Sequence, residues 1–219
     1  MTRKTREFYK GGFWHIFNRG VAQQNIFQES ADFRFYLYRI KESLKKFPLA
    51  IHAYNLLNNH IHYLMEQTLK DMPPNKFISS IHTSFANFIN RKYNRVGHLF
   101  QDRFRANHIK ENEDILAISF YIHLNKVLER LEQMKKKTIT DMELDKLLDE
   151  AAKDPWNSFG VYLGLRKDEI IQPDFILSIL SDDIKKARTE YKKMARDFIV
   201  SGHFLKTRDL IFEQRRGQS

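Results

Sequence analysis

The stretch Asn55-Leu56-Leu57-Asn58-Asn59-His60-Ile61-His62-Tyr63-Leu64-Met65 decides how this chain is read. Asn58-Asn59 is a turn signal, because asparagine tolerates positive φ, and it separates two β-prone runs, Leu49 to Leu57 and His60 to Gln67. Side chains two apart on a strand leave the same face, so His60 and His62 point one way, with α-carbons roughly 7 Å apart. Two neutral imidazoles at that spacing can converge on one divalent ion. A chain with nine histidines also produces such pairs by chance, so the pair draws its weight from its surroundings.

Upstream, Phe13-Trp14-His15-Ile16-Phe17-Asn18 alternates as a strand and Gly20 closes it. Ser30 or Asp32 can cap a helix to about Phe47, with Phe33, Leu37, Ile40 and Leu44 as its buried stripe, and Pro48 stops it. Downstream, Asp71-Met72-Pro73-Pro74 reads as a loop and Asn75 to Tyr93 as an amphipathic helix. Gly97 breaks the chain, Arg103 to Lys110 reads as a fourth strand, and Asn112 caps a helix running to at least Asn125. The order β-α-β-β-α-β-α predicts an α+β fold of ferredoxin-like, split βαβ type. That is an antiparallel sheet with helices on one face, followed by a C-terminal helical extension.

Lys126 to Asp154 turns to Leu, Lys, Glu and Asp without aromatics and reads as a helical insertion or arm ended by Pro155-Trp156. Gln172 to Ser201 predicts two further helices parted near Ser181-Asp182-Asp183, with Ser181 as a cap, and Glu213 to Ser219 reads as a loose tail. The expected division is a core at 1–125, an arm at 126–154 and a helical region at 155–219.

The absence of cysteine excludes disulfides and thiolate zinc sites. The charged start lacks an apolar run and no segment reaches bilayer length, so the expectation is a soluble, cytoplasmic protein with no membrane partner. Net charge is +10, and its distribution says more than its size. Residues 1–110 hold 18 Lys/Arg against 7 Asp/Glu, whereas residues 111–219 hold 19 against 20. The excess lies entirely in the half that carries the histidine pair, as a nucleic-acid face requires.

Two further features bear on chemistry. Tyr121 and Asn125, at i and i+4, share one helix face. A phenol there can be a nucleophile and an amide oxygen a hard ligand, although a core tyrosine and a capping asparagine are the bland alternatives. The segment from Asn90 to Arg105 interleaves Arg91, Lys92, Arg95, His98, Arg103 and Arg105 with Tyr93, Phe100 and Phe104. Cations tracking phosphates beside rings that stack on bases suit a single strand.

In their order and spacing these residues resemble the single-tyrosine HUH transposases, and most closely the REP-associated tyrosine transposases. The resemblance runs through Asn18-Arg19-Gly20, Ile26-Phe27, Asn59-His60-Ile61-His62, Asn90-Arg91-Lys92-Tyr93, Gly97 to Phe104 and Tyr121-Ile122-His123-Leu124-Asn125. Pro155 to Phe159 and Tyr162-Leu163-Gly164 are similar more loosely. It implies a metal-dependent nuclease that cuts and transfers single-stranded or hairpin DNA, as one copy or a homodimer. It implies Tyr121 as nucleophile forming a 5′-phosphotyrosine link, and His60, His62 and Asn125 as ligands to Mg²⁺ or Mn²⁺. It also implies Arg19 and the basic residues of the 91–105 segment as DNA contacts. Two departures stand out: Leu57-Asn58 replaces the family's usual Met-Pro, and Lys126 replaces the proline that usually follows the asparagine. The alternatives are a non-cleaving binder of structured single-stranded DNA or RNA, an RNA-binding module of RRM-like topology, and a phosphodiesterase using water as nucleophile.

Overall fold

The computed structural model describes residues 7–134 and 139–208. Strand β1 (Phe13–Arg19) is followed by helix α1 (Ser30–Lys46), strands β2 (Ala50–Leu56) and β3 (His60–Glu66), helix α2 (Pro74–Lys92) and strand β4 (Arg105–Ile109). Helix α3 (Asn112–Met134) comes next, then α4 (Asp141–Lys153), α5 (Phe159–Tyr162), α6 (Asp174–Ser178) and α7 (Ile184–Val200). The sheet order is β2-β3-β1-β4, with every neighbouring pair antiparallel. The β1-α1-β2 unit therefore straddles β3, and β3-α2-β4 straddles β1, which is the split βαβ arrangement expected from the sequence.

Register decides which residues meet. Phe17 pairs with His62 and Arg105, and His15 with Leu64 and Asn107, so these residues share a face with His60. The opposite face carries Ile16, Ile61, Tyr63 and Met65, all buried, beneath α1 and α2. Tyr36 of α1 meets Phe85 of α2 edge to face at 4.8 Å, and Phe27 wedges between them. Each such large side chain contributes about 1.5–3 kcal/mol through burial. The hairpin turn is held by backbone bonds from Ile26 and Phe27 to the Asn58 carbonyl.

Helix α3 crosses the histidine-bearing face over β2 and β3. A buried polar network fixes it there. His123 bonds Tyr191 through Nδ1 (2.8 Å) and Ser158 through Nε2 (2.7 Å), and Ser119 reaches the same Tyr191 hydroxyl. Asn55 and Asn157 donate their side-chain amides to the Ile122 and His123 carbonyls, both at 2.8 Å. Burial, with help from the nearby Arg166 charge, pushes the His123 imidazole down to about 3, so it sits in the core as a neutral ring. The free edge of β2 is covered from the same side, by bridges to Asn157 and Ile171.

Several expectations shift in detail. The start of α1 is organised by Asp32 in its first turn, which accepts from the backbone N–H groups of Gln28 and Glu29. The cap of α7 is Asp183, which accepts from Lys186 N, and Ser181 instead accepts from Asp183 N. β4 is shorter than expected because Arg103 belongs to the loop before it. Helix α3 runs on past Lys126 to Met134, within the expectation that it reach at least Asn125, since lysine continues a helix where proline would end it. The tail from 213 lies outside the described residues.

Candidate active site

His60 and His62 project from β3 into a cleft of about 270 Å³ lined also by Phe17, Arg19, Arg103, Arg105, Tyr121 and Asn125. The His60 and His62 rings stand perpendicular, with centroids 5.0 Å apart. The Tyr121 ring meets His62 edge to face at 6.0 Å. One turn further along α3, Asn125 Oδ1 lies 2.9 Å from His60 Nε2. The structure thus brings together four side chains that the sequence places on two separate elements.

Both ring nitrogens of His60 have polar neighbours. Its Nδ1 lies 2.7 Å from Asn59 Oδ1, so Nδ1 carries the hydrogen that it donates. In a neutral ring Nε2 then presents a lone pair, and what faces it is an amide oxygen and, at 3.5 Å, the Glu129 carboxylate. An amide oxygen and a carboxylate beside an imidazole nitrogen are groups able to ligate a divalent cation. Among the described residues no cluster of three or more His, Cys, Asp or Glu could hold a metal, so a candidate site here depends on the amide oxygen.

Arginines rim the cleft because the 97–104 segment is tied to the end of β1. Val21 N bonds Leu99 O, Gln101 N bonds Arg19 O, and Asn18 donates to the Asp102 carbonyl. Gly20 is required at this junction, since a Cβ would fall 2.1 Å from the Gln24 carbonyl oxygen. Exposed Arg19, Arg103 and Arg105 therefore face the histidines.

The remaining basic residues of the 91–105 segment lie apart from this cleft. Lys92 is held by Glu29 and Asp32, at 2.6 Å each, so its charge stabilises the start of α1. Arg95 reaches Gln24 at 3.3 Å, while Arg91 and His98 are exposed. The aromatics of the segment pack inward: Phe104 is buried, Phe100 stacks on His82, and Tyr93 donates to Asp32.

Two residues escaped the sequence reading. His15 is wholly buried, and its Nε2 lies 2.9 Å from His62 Nδ1, but only the β1–β3 register reveals that pairing. Glu129 lies at i+8 from Tyr121 and i+4 from Asn125, a signal that was present on the helix face.

The model of the IS200-like transposase family matches residues 12–125. A solved structure of a REP-associated tyrosine transposase bound to a REP hairpin is similar in fold, with a TM-score of 0.58 at 15% identity over 78% of this chain and 98% of that one. A second structure, of a candidate transposase from Deinococcus radiodurans R1, aligns at a TM-score of 0.39 and 9% identity, over 60% of this chain and 97% of that one. Among curated proteins none matches the sequence significantly. Since the family model spans more than half of the chain, from the residue before β1 to Asn125, the protein belongs to the IS200-like transposases, enzymes that act on DNA.

Proposed function

We propose that this protein cuts and rejoins single-stranded DNA in transposition, through a covalent link to Tyr121. The observation that supports it most is the approach, within one chain, of the Tyr121 ring to His62 and of Asn125 to His60. The hairpin-bound transposase of similar fold favours a structured strand as substrate. On this reading residues 1–125 form the nuclease core, 126–154 a helical insertion or arm and 155–219 a C-terminal helical region. On the same reading the protein is cytoplasmic and acts as one copy or as a homodimer.

His60, His62 and Asn125 would hold a divalent ion, Mg²⁺ or Mn²⁺, which when bound supplies Lewis-acid polarisation of a phosphoryl oxygen. Arg19, Arg103 and Arg105 hold the flanking phosphates. Tyr121, once deprotonated, attacks the scissile phosphorus; an O–P bond forms to the phenol and the bond to the 3′ oxygen breaks. That oxygen leaves as a 3′-hydroxyl after taking a proton. Attack by another 3′-hydroxyl reverses the steps, and the phosphodiester is kept without an external energy source.

Incubation with labelled single-stranded hairpin DNA and Mn²⁺ tests this. A denaturant-resistant protein–DNA adduct is expected, absent in Tyr121→Phe. Cleavage that persists in Tyr121→Phe would indicate water as nucleophile. Tight binding without any cleavage would identify a non-cutting binder.

A further inference from the structure

The set formed by His60, His62 and Asn125 carries no formal charge, whereas hard divalent ions favour anionic oxygen. Two carboxylates line the cleft, those of Asp102 and Glu129. Glu129 is the one beside the ligands, with Oε1 3.5 Å from His60 Nε2. It reaches that place because α3 continues past Lys126, which sets Tyr121, Asn125 and Glu129 at successive i+4 steps along one face. Lys126 is anchored by an ion pair to Asp154 at 2.9 Å, which holds the continued helix against the end of α4. A carboxylate in an arginine-rimmed cleft would repel an incoming phosphate unless a cation lay between them.

We propose that Glu129 is an additional ligand of the divalent cation, supplying the negative charge that the other three lack. This rests on the metal-dependent reading above. As placed, Glu129 does not complete a metal-holding cluster with the two histidines, and its half-exposed side chain turns from His60 to an arriving ion to do so. The continuation of α3 through Lys126 is then what brings a carboxylate into the site.

The test is Mn²⁺ binding to the full chain, followed by calorimetry and by the Mn²⁺ electron paramagnetic resonance signal at fixed ionic strength. Wild type, Glu129→Gln, Glu129→Ala, His62→Ala and, as a distant-charge control, Glu132→Gln are compared. Loss of at least about tenfold in affinity is expected in both Glu129 variants, with Glu132→Gln near wild type. Unfolding temperatures without metal should be unchanged in the Glu129 variants, which separates ligation from a structural role. Binding that needs His62 but is indifferent to Glu129, or that falls equally in Glu132→Gln, would overturn the proposal while leaving the metal site standing. Wild type that binds no Mn²⁺ would remove both.

Discussion

The imidazoles of His15 and His62 lie nearly parallel, 7° apart, with Nε2 of the first 2.9 Å from Nδ1 of the second. A hydrogen bond to one ring nitrogen sets which nitrogen the ring can offer elsewhere and fixes its rotation. His15→Phe keeps the ring volume and deletes that bond. We expect roughly 10–100-fold slower adduct formation at saturating DNA, with unchanged DNA affinity. A normal rate in that variant would show that His15 only fills space.

The three arginines at the cleft mouth should act on phosphates rather than on the fold. Arg19→Ala, Arg103→Ala and Arg105→Ala should each weaken single-strand binding and lower the slope of log affinity against log salt by about 0.7. Lys92→Ala should leave that slope unchanged, because Glu29 and Asp32 already hold its ammonium. Fluorescence anisotropy across a salt series distinguishes the two.

Asp32 is wholly buried in a ring of donors. Burial by itself would raise its carboxyl, but Lys92, the Gln28 and Glu29 backbone and the Tyr93 hydroxyl outweigh it and hold it below the usual range. Asp32→Ala removes the acceptor at the start of α1 and should cost about 2 kcal/mol or more in urea unfolding.

Acid should destabilise the protein well above the carboxylate range. His82 is pushed down to about 3 by burial, as His123 is, whereas an unfolded histidine protonates near 6.5. Between those values the unfolded chain binds the extra protons, so the stability present above pH 6.5 is lost as pH falls. Each ring contributes about 1.4 kcal/mol per pH unit in that window. His82→Phe should flatten the decline between pH 6.5 and 5, followed by urea midpoints; an equally steep decline would show that His82 does not titrate this way.

What could be read from the chain follows from the range of the interactions. The period-two pattern around His60 and His62, the helix bearing Tyr121 and Asn125, and the element order are local, and the sheet topology follows from them. The partnership of His15 with His62 depends on strand register 47 positions apart, which no local pattern encodes. The capture of Lys92 by Asp32 likewise joins α2 to the start of α1 across 60 positions. The brace on α3 depends on Tyr191, which meets His123 across 68 positions. Glu129 was legible on the same helix face, four residues past Asn125, but only the folded helix shows it 3.5 Å from His60.

The stitching of α3 has a consequence for how a rejoining enzyme must work. Ile122 and His123 are bonded on either side to Asn55, Asn157, Ser158 and Tyr191, so the segment carrying Tyr121 cannot pivot without breaking several buried bonds together. A cut end attached to that phenol would stay where it was made. Choosing a new partner would then fall to the nucleic acid, whose free strand must travel to a stationary anchor.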